Sequence, residues 1–335
     1  MKNKLISVFL AAMFVCAGAM AQVKKIGIIG LDTSHSPAFT KLINSKTEEL
    51  PGFGAYQVVA AYPYGSKTIK ASYERIPRFT KDVQKYGVKI VDSIDELIAM
   101  SDYILLESND GTIHLEQAAK VFKAGKPVFI DKPIGASLQD AIAIFELARH
   151  YHAKCFSSSS LRYTPETQAL AAGSAGKILG ADSFGPSKPE PSHPDFSWYG
   201  IHAIEALFTV MGPGCVEVTR TSAPETDIVV GRWEDGRLGT FRGNVTGKPA
   251  YGGFAFTASG AHPLGSKVPY DALVKQIIKF FDTGVAPVSE KETLAIFTFM
   301  EASNVSKAKG GVPVSTEEVF KTNYKKAMKA AEKYK

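Results

Sequence analysis

The sequence is poor in cysteine and has no apolar run long enough to cross a membrane. Its 335 residues include three cysteines, Cys16, Cys155 and Cys215, which are too few for a disulfide framework. Cys155 lies in a strand-like stretch, so we expect the later two cysteines to be free, mostly buried thiols. The apolar run at residues 5–15 has about ten residues, whereas a bilayer needs about 20. These absences exclude a disulfide-stabilised scaffold and stable membrane insertion.

A strong excess of either charge is also missing. The formal charge of +6 falls to about +4 when Lys2 and Lys4 of the leader are left out, and the basic residues are dispersed. The lysines of residues 321–335 fit the polar side of an amphipathic helix. We therefore expect no nucleic-acid partner.

Residues 1–21 have the layout of a secretory signal peptide. Two lysines precede the apolar run, and Ala19-Met20-Ala21 provides the small residues of a cleavage site. The alternative is an uncleaved anchor. The sequence thus predicts an exported, periplasmic protein that begins at Gln22, and the leader takes no part in the fold.

Residues 22–160 alternate short apolar runs with helical patterns. The predicted strands are 25–29, 57–62, 88–91, 103–107, 127–130 and 153–157, and the predicted helices are 36–45, 93–100, 112–124 and 138–150. Such alternation is typical of a doubly wound parallel sheet of the Rossmann type, with ligands at the carboxyl ends of the strands. The sequence predicts a dinucleotide-binding domain over residues 22–160.

The pattern changes to clustered strands after residue 160. Predicted strands are 183–184, 216–222, 227–233, 238–243 and 253–259, and predicted helices are 165–172, 201–211 and 271–283. Strands joined by hairpin-like turns indicate an open, mainly antiparallel sheet. Residues 161–335 therefore form a predicted second, α+β domain for substrate binding.

The first strand is followed by a turn that lacks two of the three glycines of a dinucleotide fingerprint. Gly30 is present, but Asp32 and His35 stand where G-x-G-x-x-G has glycine. An anion at Asp32 would oppose a pyrophosphate unless it is turned away, protonated or capping the helix. Thr33 and Ser34 could instead offer hydroxyl and backbone N–H donors at the helix N-terminus. A turn that no longer holds a dinucleotide is the alternative.

An acidic residue for the adenosine ribose is missing after the second strand. The segment begins at Tyr62 and continues to Ser66 and Lys67, which could hold a 2′-phosphate and so favour NADP over NAD. An exposed loop with a solvated lysine is an equally good interpretation.

Residues 102–133 resemble the Gfo/Idh/MocA oxidoreductases. That family ends its fifth strand with Glu-Lys-Pro, which is similar to Asp131-Lys132-Pro133 here, and it has a histidine at the spacing of His114. The resemblance continues through Arg162-Tyr163, and then to a histidine motif, D-x-G-x-H-x-x-D in the family, at 198–205. It implies a nicotinamide cofactor and a homo-oligomer formed through the free face of the second sheet.

The motif positions suit the chemistry of hydroxyl oxidation. Lys132, at a strand end, can stabilise developing negative charge on the substrate oxygen, and His202 can accept its proton. Trp198 stands where the family has an aspartate, so Glu205 or Asp195 would have to compensate. The residues predicted to bind substrate are Lys132, Tyr163, Trp198, Tyr199, His202 and Glu205.

The remaining predictions concern the cofactor and metals. The residues predicted to bind the cofactor are Gly30, Asp32, Thr33, Ser34, His35, Tyr62, Ser66, Lys67, Glu107, Ser108, Asn109, His114, Asp131, Lys132 and Arg162. An exported enzyme cannot draw on a cytoplasmic pool, so NAD or NADP should be tightly bound. The histidine spacing matches no ligand pattern, so no metal is predicted.

The sequence thus predicts an oxidoreductase that acts on a hydroxyl of a sugar, glycoside or cyclitol. Two other classes stay open at this point. One is a glycosidase that uses NAD for transient oxidation and elimination, as the resemblance allows. The other is a non-catalytic ligand-binding protein on a Rossmann scaffold, which the altered residues Asp32 and Trp198 would support.

Overall fold

The computed structural model describes residues 22–48, 51–267 and 270–335. The predicted leader at 1–21 lies outside the described residues. None of the helices within the described ranges has the length and apolar character of a membrane span.

The first half of the chain forms a six-stranded parallel sheet. Its strands are β1 Lys24–Ile29, β2 Tyr56–Tyr62, β3 Lys89–Ile90, β4 Tyr103–Leu106, β5 Val128–Ile130 and β6 Cys155–Phe156. They lie in the order β3-β2-β1-β4-β5-β6, which is the doubly wound order of a Rossmann sheet. The predicted fold class is confirmed, because the apolar runs of this segment are buried on both faces of the sheet.

Six helices accompany this sheet. They are α1 His35–Asn44, α2 Lys70–Tyr73, α3 Ile76–Gln84, α4 Ile94–Met100, α5 His114–Lys123 and α6 Leu138–His150. Helix α6 begins at a reciprocal cap, in which Ser137 Oγ accepts the Asp140 N–H and Asp140 Oδ2 accepts the Ser137 N–H. The helices α2 and α3 were not predicted, because their segment is short and polar.

The second half contains a seven-stranded sheet. Its strands are β7 Gly180–Pro186, β8 Cys215–Ala223, β9 Thr226–Trp233, β10 Leu238–Asn244, β11 Gly252–Thr257, β12 Gly260–Pro263 and β13 Val314–Ser315. The order is β12-β11-β7-β10-β9-β8-β13, and neighbouring strands are antiparallel except for β7 and β10. The predicted open, mainly antiparallel sheet is therefore confirmed.

Five helices belong to this half. They are α7 Pro165–Ala171, α8 Gly200–Met211, α9 Tyr270–Thr283, α10 Glu290–Ala308 and α11 Thr316–Glu332. Helix α9 packs against the first sheet, since Leu273 and Ile277 share a buried cluster with Ile26, Ile28 and Phe39. A segment of the predicted second domain thus returns to the first domain and fixes the two sheets relative to one another.

The two later cysteines are free and mostly buried, as predicted. The outer side of the second sheet is also partly apolar: Leu238, Phe254 and Phe256 are exposed there. These side chains alternate with buried ones along β10 and β11, because successive residues of a strand point to opposite faces.

Candidate active site

The carboxyl ends of β1, β2 and β4 meet tightly at Gly30. This glycine has φ +97°, and a Cβ added there would lie 2.4 Å from the Ser108 backbone nitrogen. The Gly30 N–H donates to the Tyr62 carbonyl at 3.0 Å. The position therefore requires glycine on both steric and conformational grounds, and the turn after β1 keeps the geometry of the first fingerprint glycine.

Asp32 is turned into the protein rather than towards the crevice. Its side chain is fully buried, and its two oxygens accept the N–H groups of Ser66 at 3.1 Å and Asn109 at 3.0 Å. Burial raises the pKa of Asp32 to about 6, although these two hydrogen bonds oppose the shift. The carboxylate thus ties together the loops that follow β1, β2 and β4, as one of the sequence alternatives allowed.

At the start of α1, one exposed residue lies between two buried residues. Ser34 is exposed, whereas Thr33 and His35 are buried. The His35 ring stacks on Phe39 with a centroid distance of 5.1 Å. Its Nδ1 lies 2.8 Å from Asp131 Oδ2 at the end of β5. A histidine therefore replaces the third fingerprint glycine and contacts the neighbouring strand end through its side chain.

The loop after β2 has fewer free side-chain groups for a phosphate than the sequence predicted. Ser66 Oγ accepts the Ile69 N–H at 3.1 Å and contacts Thr68 Oγ1 at 3.3 Å, so this hydroxyl is already used. Lys67 is exposed, and its Nζ lies 5.9 Å from the centre of the Tyr64 ring. Lys67 is thus the residue of the predicted Ser66–Lys67 pair that can reach a ligand.

Two buried carboxylates lie at the ends of β4 and β5. Glu107 is fully buried, and neither of its oxygens has a hydrogen-bond partner among the described residues. Burial raises the pKa of Glu107 well above its ordinary range, and the charge of Asp131 adds to that effect. Burial also acts to raise the pKa of Asp131, but His35 and Lys132 outweigh it and hold that pKa below its ordinary value.

Lys132 lies at the crevice with a free ammonium group. It is 8% exposed, and its backbone N–H donates to Asp131 Oδ1 at 2.8 Å. Within the described ranges, its Nζ has no hydrogen bond and no carboxylate within 4.0 Å. The ammonium is therefore available to a ligand oxygen.

His202 enters the same region from the second domain. It lies in the first turn of α8, and its Nδ1 is 2.7 Å from Ser159 Oγ. Among the described residues its Nε2 has no hydrogen-bond partner. Burial first, and then the charge of Lys132, lowers the pKa of His202 well below its ordinary value. At neutral pH the ring is thus uncharged, and with the proton on Nδ1 its Nε2 is a free acceptor.

His114, a predicted cofactor contact, is instead enclosed by the fold. It is fully buried, with Nε2 2.6 Å from the Ser108 carbonyl and Nδ1 3.2 Å from the Ile134 carbonyl. The histidine therefore joins the loop after β4 to the loop after β5. It positions Ser108 and Lys132, because both lie in the segments that it connects.

Arg162 and Glu205 form a buried ion pair with each other. The predicted contacts of these two residues with cofactor and substrate are therefore corrected. Arg162 Nε donates to Glu205 Oε1 at 2.8 Å, and its Nη2 donates to Glu292 at 2.5 Å. Glu205 also accepts the Ser158 hydroxyl and the Ser159 N–H. Both groups are buried, so they hold the Ser159 loop against α8 and thereby position His202.

The segment before α8 covers the crevice with aromatic side chains. Trp198 packs on His193 with a centroid distance of 5.1 Å, and Tyr199 is exposed beside it. His193 Nε2 accepts the Gly111 N–H at 3.1 Å, which links this segment to the first domain. Asp195 cannot replace the missing family aspartate, because it pairs with Arg220.

Several site residues were missed by the sequence. Ser159 orients His202, and Tyr251 lies 5.6 Å from its ring. Tyr270 meets the His35 ring edge-on at 4.9 Å. Ser159 lies in a run of serines that indicates a polar strand end. The sequence around the two tyrosines gives no such indication, because they reach the crevice through contacts between distant parts of the chain. Tyr163, a predicted substrate contact, is buried.

A family model described as the oxidoreductase family with the NAD-binding Rossmann fold matches residues 24–159. This range covers the first sheet from β1 to β6. Residues 24–159 thus match the nucleotide-binding domain of the Gfo/Idh/MocA oxidoreductases. The predicted family and enzyme class, an NAD(P)-dependent oxidoreductase, are thereby confirmed. No curated protein sequence matches the chain significantly.

Solved structures share the fold over most of the chain. A probable dehydrogenase from Thermotoga maritima is 21% identical with a TM-score of 0.70, over 88% of this chain and 99% of that chain. A myo-inositol dehydrogenase from Corynebacterium glutamicum is 16% identical with a TM-score of 0.71, over 88% and 98%. A scyllo-inositol dehydrogenase from Lactobacillus casei, with bound NAD(H) and scyllo-inositol, is 16% identical with a TM-score of 0.67, over 88% and 100%. The likeness to these proteins establishes the two-domain Gfo/Idh/MocA fold.

Proposed function

We propose that this crevice binds NAD or NADP and oxidises a hydroxyl group of a sugar, glycoside or cyclitol. The observation that carries the proposal is the pairing of two free groups from different domains. The Lys132 ammonium and the His202 Nε2 both lack protein partners within the described part of the chain, and the charge of Lys132 acts on His202. A free cation and a free base that interact electrostatically suit an alcohol that loses its proton.

The residues at the strand ends fit a dinucleotide. Gly30 keeps the close approach of the first fingerprint glycine, and Ser34 leaves the N-terminus of α1 exposed. The Asp32 carboxylate is fully buried and is held by two backbone N–H groups, so it is not aimed at an anion above the turn. The buried Ser108 hydroxyl has no hydrogen-bond partner in the described ranges and can serve a ribose hydroxyl.

On this proposal, different parts of the cofactor would occupy different parts of the crevice. Gly30, Thr33 and Ser34 would hold the pyrophosphate, Lys67 would lie at the adenosine end, and Ser108 at the nicotinamide ribose. When bound, the nicotinamide would supply the hydride acceptor. The free Lys67 favours a 2′-phosphate at the adenosine ribose, and so favours NADP.

Protein side chains would accept the proton, stabilise the charge on the substrate oxygen and hold the substrate ring. His202 Nε2 would accept the hydroxyl proton, while Ser159 Oγ holds the opposite side of the ring. The Lys132 ammonium would stabilise negative charge on the same oxygen. Tyr199 and Trp198 would pack against the apolar face of a ring substrate. The scyllo-inositol bound by the Lactobacillus casei dehydrogenase supports a cyclitol among the candidate substrates.

We expect the purified protein to carry its nicotinamide cofactor. An exported enzyme is separated from the cytoplasmic pool, so the cofactor would have to enter before or during folding and remain bound. Mass spectrometry of the supernatant after denaturation should detect about one NAD or NADP per chain. Added cofactor should stabilise stripped protein by about 3–4 kcal/mol at several hundred times its Kd, measured as a rise in Tm.

Release of no nucleotide, together with an unchanged Tm, would contradict the cofactor assignment. It would favour a non-catalytic scaffold, which the substitutions at Asp32 and His35 could produce. If the cofactor is present, inositols and glycosides added one at a time should change the absorbance of its reduced form. The absence of any response across such a panel would count against the proposed substrate class.

We also propose that the chain is exported and cleaved after Ala21. The support is the sequence pattern of residues 1–21, since basic, apolar and small-residue segments follow one another in the order of a signal peptide. Intact mass of protein recovered from the periplasmic fraction should correspond to a chain that begins at Gln22. Recovery of a chain that retains Met1, or of protein in the cytoplasmic fraction alone, would overturn the proposal.

A further inference from the structure

Beneath the Lys132 side of the crevice, three potential ligand groups from three elements come together. His35 is the first residue of α1, Glu107 follows β4, and Asp131 follows β5. One ligand atom from each lies within 4.8 Å of the others. All three residues are buried. The sequence placed all three residues at the crevice as predicted cofactor contacts, but it gave no sign that they share one ligand centre.

Glu107 distinguishes this cluster from an ordinary hydrogen-bonded network. It is 0% exposed, and within the part of the chain that the structure describes both carboxylate oxygens lack a hydrogen-bond partner. An unpaired buried carboxylate is costly, because it loses its hydration and gains nothing in return. Its Oε2 lies 3.9 Å from His35 Nδ1, so the free oxygen is directed at the other two residues.

The separations suit a bound cation. His35 Nδ1 is 2.8 Å from Asp131 Oδ2 and 3.9 Å from Glu107 Oε2. Ligands about 2.1 Å from one transition metal are about 3.0–3.5 Å apart in octahedral or tetrahedral geometry. The observed distances lie on either side of that range. Small side-chain rotations would therefore bring the three atoms to a common centre.

Carboxylates dominate the potential ligands of the cluster. Once all three groups have lost their protons as ligands, two carboxylates and an imidazole carry a formal charge of −2, which a divalent ion would cancel. One imidazole with two carboxylates is a donor set suited to Mn²⁺, Fe²⁺, Co²⁺ or Zn²⁺.

We propose that His35, Glu107 and Asp131 bind one divalent transition-metal ion. The sequence predicted all three residues as cofactor contacts, and the proposal gives them a metal ion instead. It also replaces the prediction from sequence spacing that the chain binds no metal. Three protein ligands leave at least one coordination position open to water or a substrate oxygen. The ion would join the ends of β4 and β5 to the start of α1, and so fix the strand end that carries Lys132.

The test uses full-length protein treated with a chelator and freed of nucleotide, so that the result does not depend on the dinucleotide. Calorimetric titration with Mn²⁺, Co²⁺ and Zn²⁺ should show one site per chain for at least one of these ions. Bound Co²⁺ should give visible ligand-field absorption. At a hundredfold excess over Kd, the ion should raise Tm by about 5 °C or more. Failure of all three ions to bind would overturn the proposal.

Glu107→Gln is the decisive variant, because it keeps the shape of the side chain and removes its charge. We expect it to weaken ion binding by at least about 100-fold, since it removes a direct ligand. Without metal, this variant should melt at or above the temperature of the wild-type protein, because it removes a buried carboxyl whose raised pKa costs stability at neutral pH. With metal, the order of the two melting temperatures should reverse.

His193→Asn is the matched control, because His193 is a buried histidine near the crevice that lies outside the cluster. It should bind the ion as the wild-type protein does. Equal binding by Glu107→Gln and wild-type protein would refute the site, as would equal weakening in His193→Asn. If Glu107→Gln does not fold, His35→Asn is judged by the same titration, the same Co²⁺ absorption and the same control.

Discussion

Replacement of His202 by asparagine is expected to lower turnover by about 10²–10⁴-fold, the usual contribution of a general base. The Nε2 of His202 has no partner in the described part of the chain, whereas Nδ1 is held by Ser159 Oγ at 2.7 Å. The ring is therefore oriented by the protein on one side and free on the other. Asparagine can keep the contact with Ser159 but cannot accept a proton at neutral pH.

The pH dependence follows from the direction of the His202 pKa. Burial and the charge of Lys132 lower that pKa well below its ordinary value, and the base is active only when it is uncharged. Activity should therefore be level near neutrality and should fall only at acidic pH, below the ordinary histidine range. The acid limb should be lost in His202→Asn, apart from any limb near pH 6 that belongs to Asp32.

The control is His262→Asn on β12, where the ring contacts Thr257 and Ser259 away from the crevice. Turnover of this variant with inositols or glycosides should stay within about twofold of wild type. Wild-type turnover in His202→Asn would remove the base from the mechanism. Loss of the fold in that variant, seen by circular dichroism, would mean that His202 serves the core, and the base would have to be sought elsewhere.

Sequence pattern was most informative where burial is continuous. The six strands of the first sheet coincide with apolar runs, so their positions in the chain and their alternation with helices could be predicted. Helix α6 was predicted with both of its observed ends. The pattern was least informative for α2 and α3, which lie in a polar segment. The same applies to the return of α9 to the first sheet, because that packing joins residues that are about 250 positions apart.

The sequence predicted which residues lie at the crevice better than it predicted what each of these residues does. Because ligands lie at the carboxyl ends of parallel strands, the sequence alone placed Gly30, Glu107 and Lys132 at one crevice. Sequence could not show that Arg162 and Glu205 neutralise each other, because an ion pair depends on side-chain geometry. It likewise could not show whether the Asp32 carboxylate is directed towards the crevice or into the protein.

Lys132→Met is expected to reduce turnover by about 10²–10³-fold, the loss that follows removal of an electrostatic donor from a developing oxyanion. Methionine keeps most of the apolar stem and removes the ammonium, which has no protein partner among the described residues. The loss should appear in kcat more than in KM, because the charge on the substrate oxygen develops during the reaction. Lys120→Met on the surface of α5, where the lysine is exposed and pairs with Asp95, is the control and should retain turnover.

A shift of the pH profile would separate a direct role of Lys132 from a structural one. Because the ammonium is one cause of the lowered His202 pKa, its removal should raise that pKa and move the acid limb towards neutrality. A variant in which the substitution only destabilises the local structure would lose activity equally at every pH. Unchanged turnover in Lys132→Met would refute the assignment. A 10²–10³-fold loss with an unmoved acid limb would leave Lys132 at the substrate oxygen but would show that the active base is not His202.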